Sequence, residues 1–227
     1  MRRLVWFLST FVVLILMIFY VKQNYQPTSE YGYLNLVFLY NLRRETHIEI
    51  TDQMFLYIGV IAIYSLGVMY VLNTARALQR DFVPLVVSRL KSRGAYIFWN
   101  LKSVLFSSIQ FALILFLSIL ISLMFVFHGV NEIYFKEFWL LILNAWLMIA
   151  WIGNIEIFIH LKFDKFYSTV ACFVIVAIVF SVVVAGDFVA MGDLSNISKM
   201  AWGSCWNLIL YITTVLFIII SFRRMDI

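Results

Sequence analysis

Few residues in this 227-residue chain have side chains suited to catalysis or metal binding. The three histidines are His47, His128 and His160. The apolar runs between them predict that the first two lie on one side of a membrane and the third on the other, so they form no cluster at one depth. The G-x-S-x-G and H-E-x-x-H motifs are absent from the sequence. We therefore expect no catalytic activity from this chain, because an intramembrane enzyme needs such groups.

Glu156 is the acid whose position invites a functional interpretation, because it lies within an apolar run with Asn154 before it and His160 one turn after it. Ionisable groups inside a membrane usually contact protons, ions or substrates. The alternative is an acid at headgroup level that pairs with His160 or Lys162. Gln110, Asn144 and Asn154 also interrupt apolar runs. Together with Glu156 they either line a pathway or form hydrogen bonds between helices.

Composition identifies the elements that position these residues. Hydrophobic residues make up 64% of the chain and charged residues only 13%, whereas soluble domains contain about half and a quarter. The mean hydropathy is +0.96. These values indicate a membrane protein. Cys172 and Cys205 are predicted to lie at opposite depths, so we expect no disulfide between them.

The apolar runs predict a single transmembrane domain over residues 1–227. A helix needs about 20 apolar residues to cross a bilayer, and open strands are excluded there. Six runs meet this requirement, at about residues 4–21, 54–73, 104–127, 138–159, 168–185 and 206–222. The fold class is therefore an all-α membrane protein with six transmembrane helices. For the first run, a signal peptide is a second interpretation, although its apolar core is long and no A-x-A site follows.

The distribution of basic residues predicts the orientation. With the N-terminus inside, twelve of the 17 Lys and Arg residues fall on the inner side and five on the outer side. Cytoplasmic loops of membrane proteins are enriched in Lys and Arg. We therefore expect both termini in the cytoplasm. On the outer side, the loop 186–205 is expected to contain a short broken helix.

The inner loop between the second and third runs contains a dense basic segment, "SRLKSRGAYIFWNLK", from Ser88 to Lys102. Before it, Pro84 suits the first turn of a short helix. Leu85, Val86 and Leu90 with the neighbouring basic residues predict an amphipathic element along the membrane that ends at Gly94. The simplest interpretation is a loop that contacts lipid phosphates.

The segment also resembles a family. ABC-2-type transporter permeases have six helices, both termini inside, and an S-R-x-x-S-R segment between helices 2 and 3 followed by a Lys at helix 3. This chain has Ser88-Arg89, Ser92-Arg93 and Lys102 at those places. The loop 186–205 and the ending "FRRMDI" are similar as well. Many members have an amphipathic helix before the first span. Only Met1–Arg3 precede the first run here, so we expect this element to be missing or merged into the first helix.

The resemblance implies a small bacterial permease subunit of an ATP-driven exporter in the cell membrane. Its partners would be an ATPase dimer, which binds ATP and Mg, a second identical or paralogous permease, and lipid, but no nucleic acid. The chain has no G-x-x-x-x-G-K-[ST] motif of its own. The substrate would be amphipathic, such as an antimicrobial peptide. Residues implied in ATPase docking are Asp81, Phe82, Pro84, Leu85, Val86, Ser88, Arg89, Leu90, Lys91, Ser92 and Arg93.

Two other functions are compatible with the residues. A secondary transporter would use Glu156, although no inverted repeat is visible. A membrane accessory or sensor protein would bind a partner through the same basic loop without transporting anything. A neighbouring gene for an ATPase would favour transport over these alternatives.

Overall fold

The structure, a computed structural model, describes residues 2–25, 58–74, 93–127, 135–162, 170–171, 173–179 and 197–223. Every one of these residues is helical, so the all-α prediction is confirmed for the part of the chain described. The helices are α1 (Arg2–Tyr25), α2 (Ile58–Thr74), α3 (Arg93–Phe127), α4 (Phe135–Lys162), α5 (residues 170–179, without position 172) and α6 (Ile197–Arg223).

Four of the six helices are long and apolar enough to cross a membrane. Their apolar stretches are Leu4–Asn24, Ile97–Val126, Phe138–Ile159 and Ala201–Ser221. The described part of α2 is a shorter apolar helix. These features indicate a membrane protein. Pro27 and Pro84 both lie outside the described helices. The described helices therefore contain no proline that would interrupt their backbone hydrogen bonds.

Two helices begin earlier than the sequence predicted. Helix α3 begins at Arg93 rather than near residue 104, and Gly94 lies in its first turn. The apolar side of this extension packs inward, with Ile97 buried and Lys102 exposed, so one cation does not interrupt the helix. Helix α6 begins at Ile197 rather than 206. Residues 197–205 are therefore its first turns, and not part of a loop as predicted.

Side-chain contacts give the relative directions of the helices. Helices α1 and α2 are antiparallel, because Trp6 contacts Tyr70 while a side chain at Gly59 would meet Met17. Helices α3 and α4 are also antiparallel, with Trp146 bonded to Ser108 and Phe138 beside Phe116. Helices α4 and α6 are parallel: the contacts of α4 with α6 advance along both helices from Asn144–Asn207 to Phe158–Phe217.

Helix α4 is the centre of the bundle. In its most apolar 18 residues, 72% are buried, compared with 28% in α1 and 22% in α6. One side of α4 faces α2 and α3, where Gly153 lies against Val71 and Val104. A Cβ atom at Gly67 of α2 would approach Ile149 and Phe111 to 2.8 Å, so these three helices pack too closely there for a larger residue. The opposite side of α4 faces α6.

Candidate functional site: buried polar side chains of the helix bundle

Thirteen polar residues are buried in the described part of the chain, and most are on α3, α4 and α6. A buried polar group is costly in a membrane unless it is hydrogen-bonded or serves a function. The hydrogen bonds of each group therefore separate structural from functional candidates. The α4–α6 interface contains three of the four buried asparagines of the described residues. It consists of Asn144, Trp151, Asn154 and Phe158 of α4 and Asn207, Tyr211 and Phe217 of α6.

Three residues near the middle of this interface form a hydrogen-bonded trio. Asn207 donates from Nδ2 to Asn144 Oδ1 at 3.2 Å, and Trp151 donates from Nε1 to Asn207 Oδ1, also at 3.2 Å. Asn144 and Trp151 are two helical turns apart on the same side of α4, so Asn207 bridges them from α6. Asn144 and Asn207 are each 2% exposed. The trio therefore ties α6 to α4 inside the bundle.

The hydrogen bonds on the other interfaces also join helices. Trp146 of α4 donates to Ser108 Oγ of α3 at 3.0 Å, and Ser108 in turn donates to the Leu105 carbonyl. Tyr70 of α2 donates to Gln110 Oε1 of α3 at 2.9 Å. Interhelical bonds of this kind substitute for the hydrophobic driving force, which is weak between helices in lipid. Gln110 therefore has a packing contact with α2.

Asn154 differs from the other asparagines of the α4–α6 interface. It is 1% exposed. Its partner across the interface is the Tyr211 side chain of α6, which it contacts at a looser geometry than that of the trio's hydrogen bonds. Tyr211 is only partly buried. One donor group and one acceptor group are thus held inside the bundle next to a partly exposed tyrosine.

Glu156 is fully buried, at 0% exposed. It follows Gly153 by three residues and therefore lies on the side of α4 that faces α2 and α3. Asn154 lies on the side that faces α6. The two residues are close in sequence but belong to different interfaces, because side chains two positions apart point away from each other on a helix.

The serines of α3 are also buried, as expected for small residues that allow close helix packing. The Ser107 hydroxyl donates to the Ser103 carbonyl at 2.7 Å. The hydroxyls of Ser103, Ser118 and Ser122 have no hydrogen-bond partner among the described residues. A serine hydroxyl is small and rotates freely, so these three positions define no site geometry.

All four predicted intramembrane residues lie within the described helices, but they do not form one site. Asn144 is in the trio, Gln110 bonds to Tyr70, and Asn154 and Glu156 face different helices. Sequence reasoning missed Asn207, Trp151 and Tyr211. Asn207 had a visible signal, since it is a polar residue in an apolar run. The tryptophan and the tyrosine had none, because their polar atoms are hidden in hydrophobic side chains.

The predicted docking residues lie outside the described residues except for Arg93. Its backbone is described, and it is the first residue of α3. Within the described ranges there is no group of three or more His, Cys, Asp or Glu that would hold a metal ion. Cys205 has a free thiol and is exposed.

Comparison with known proteins gives no assignment: no family model, no curated protein and no solved structure matches this chain. Functional inference therefore depends on the residues and contacts described above.

Proposed function

We propose that this chain is the membrane-spanning subunit of an ATP-driven ABC-2-type exporter in a bacterial cell membrane. ATP hydrolysis takes place on a separate ATPase dimer, which binds ATP and Mg. The permease pairs with a second copy or a paralogue, and the pair moves an amphipathic substrate such as a small peptide. The observation that carries this proposal is the start of α3 at Arg93, the last residue of the S-R-x-x-S-R segment.

The geometry of α3 suits a role in coupling. It has 35 residues, which at a rise of about 1.5 Å each gives a helix about 50 Å long. Packing contacts join it to α1, α4 and α6. A displacement of the basic segment by an ATPase would therefore act directly on a long helix that packs on three others, which is the kind of element through which packed proteins switch between states.

The parallel arrangement of α4 and α6 supports six crossings. Two parallel helices that both span a bilayer require an odd number of crossings by the chain between them, and α5 lies in that interval. With α1, α2, α3 and α4 alternating in direction, both termini then lie on the same side. The excess of Lys and Arg in the loops on that side supports a cytoplasmic location for both termini.

Copurification from native membranes tests the proposal. We expect an ATP-binding subunit to copurify with the tagged chain in mild detergent, and the double charge reversal Arg89→Glu and Arg93→Glu to release it. The matched control is Arg43→Glu with Arg44→Glu, which reverses two charges in the predicted outer loop. If the chain purifies without an ATPase, or if the two double variants behave alike, the proposal is wrong.

A second candidate function is a secondary transporter, and the complete burial of Glu156 in the most buried helix favours it. The accessory or sensor protein remains the alternative without transport. Vesicles that contain only this chain distinguish these functions. Uptake or release driven by a pH gradient without ATPase, and lost in Glu156→Gln, would favour the secondary transporter. Transport that requires the ATPase would favour the exporter.

A further inference from the structure

We propose that Lys102 of α3 binds the phosphate of an anionic phospholipid at the predicted inner surface of the membrane. This inference goes beyond the proposed function and does not depend on it, because it concerns only this chain and the bilayer. Its starting point is an exposed stripe along α3. The residues of this stripe recur at intervals of three or four and therefore share one side of the helix. They are Phe98, Lys102, Phe106, Ile109, Leu113 and Leu117.

The stripe is apolar except for Lys102. Its five apolar side chains are between 39% and 69% exposed, and Lys102 is exposed as well. On the other side of α3, Ser107, Phe111 and Leu115 are fully buried in the bundle. The stripe therefore faces away from the bundle, and it contains one cation with an aromatic ring one helical turn to each side.

The length of α3 places Lys102 at the depth of the lipid headgroups. Near the other end of α3, Lys22 of α1 donates to the Val126 carbonyl at 2.8 Å. Lys102 precedes Val126 by 24 residues, which is about 36 Å of helix. The hydrocarbon core of a bilayer is about 30 Å thick. The two lysines are therefore far enough apart to lie just outside the opposite faces of the core, where an ammonium group reaches the headgroups.

The two lysines differ in what their ammonium groups contact. The Lys22 ammonium is bonded to a backbone carbonyl of the bundle, whereas Lys102 is exposed on a surface that faces lipid. A lipid phosphate provides a partner of opposite charge at that depth. The acyl chain of the same lipid would lie along the stripe from Phe106 to Leu117. An anionic headgroup is favoured over a zwitterionic one, because the cation of a zwitterionic headgroup competes with the lysine for the phosphate.

Native mass spectrometry of the full-length chain tests this site. The chain is placed in nanodiscs with equal amounts of phosphatidylglycerol and phosphatidylcholine that have the same acyl chains. It is then released into mild detergent, and the lipids retained by each copy are counted. We expect the wild-type chain to retain phosphatidylglycerol preferentially. Lys102→Met should reduce this retention about fivefold, the effect of one basic residue at an anionic surface, and Lys102→Arg should preserve it.

Lys22→Met is the matched control, because it removes the same charge from an ammonium group that is bonded within the protein. It should leave the retention of phosphatidylglycerol unchanged. Excess glycerol 3-phosphate should not displace the lipid, since it has no acyl chain to lie along the stripe.

Three results would overturn the inference: displacement of the lipid by glycerol 3-phosphate, equal losses in Lys22→Met and Lys102→Met, or a second copy of the chain bound in place of phosphatidylglycerol. The ATPase is absent from this assay, so the lipid site and the exporter proposal fail separately.

Discussion

The middle and the C-terminal part of the α4–α6 interface contain the same type of residue in two different states. In the middle, Asn144 and Asn207 form hydrogen bonds with each other and with Trp151. Towards the C-terminal ends of both helices, Asn154 contacts Tyr211 at a looser geometry than the hydrogen bonds of the trio. All three asparagines are at most 2% exposed, so burial alone does not distinguish them.

The difference shows that residue type and depth do not decide the role of a polar group in a membrane bundle. A hydrogen-bonded amide stabilises the packing of two helices. An amide without a partner destabilises the fold by about 1–3 kcal/mol relative to a satisfied one. The looser contact of Asn154 with Tyr211 should therefore contribute less to stability than the hydrogen bonds of the trio. The following variants test this comparison, in order of decreasing effect.

Substitution of Asn207 tests the hydrogen-bonded trio in the middle of the interface. Asn207→Leu removes two hydrogen bonds and leaves the Trp151 N–H and the Asn144 oxygen without the partner that each has now. We expect the free energy of unfolding to fall by about 1–3 kcal/mol. Reversible unfolding in mixed detergent micelles measures it. A loss below about 0.3 kcal/mol would mean that the trio does not hold α6 to α4.

A double variant sharpens the same point. Asn144→Leu alone removes the acceptor of the Asn207 amide. Combined with Asn207→Leu, it no longer leaves an unsatisfied partner between the two asparagines. The combined loss of unfolding free energy should therefore be smaller than the sum of the single losses, by about 1 kcal/mol. Additive losses in the same unfolding assay would show that the two residues act independently.

Substitution of Asn154 tests the C-terminal part of the α4–α6 interface. Asn154→Leu removes a buried polar group whose contact with Tyr211 is looser than the hydrogen bonds of the trio, and leucine has a similar volume. We expect stability to be unchanged or to increase by up to about 1 kcal/mol. Asn207→Leu, the same substitution on the opposite helix of this interface, is the matched control. A loss as large as that of Asn207→Leu would remove the distinction between the two parts of the interface.

A hydrogen bond outside the interface gives the smallest expected effect. Lys22 of α1 donates to the Val126 carbonyl of α3 at 2.8 Å. This carbonyl is in the last turn of α3, where it has no partner within the helix. We expect Lys22→Met to cost about 0.3–1 kcal/mol, and Lys22→Arg to retain most of the stability. If Lys22→Met costs more than Asn207→Leu in the unfolding assay, depth in the bundle does not strengthen these bonds.

The sequence predicted some features well and others poorly, for identifiable reasons. The apolar stretch of α4 agrees with the predicted range 138–159, because charged or polar residues bound the run on both sides, with Glu137 before it and His160 after it. The starts of α3 and α6 were predicted too late. In α3 the run is interrupted by Lys102 and Asn100, and a count of apolar residues stops at such positions. The helix continues through them, since Lys102 is exposed and Asn100 is buried.

The residues of the candidate site were also predicted only in part from the sequence. Gln110, Asn144, Asn154 and Glu156 were recognised because polar residues within apolar runs are conspicuous in a sequence. Their different roles were not visible, since a hydrogen bond such as that of Asn207 to Asn144 joins residues 63 positions apart. Trp151 and Tyr211 escaped notice because aromatic residues are common in this chain, at 18% of all residues.

The sequence by itself determined that this is a helical membrane protein, because the length of an apolar run and the requirement for internal hydrogen bonding in lipid depend only on local composition. Only the tertiary structure decided that α4 lies at the centre, that α6 runs parallel to it, and that Asn154 contacts Tyr211 while Asn144 pairs with Asn207. Those outcomes depend on which helices meet and in what register, and apolar runs of similar length and hydropathy contain almost no information about either.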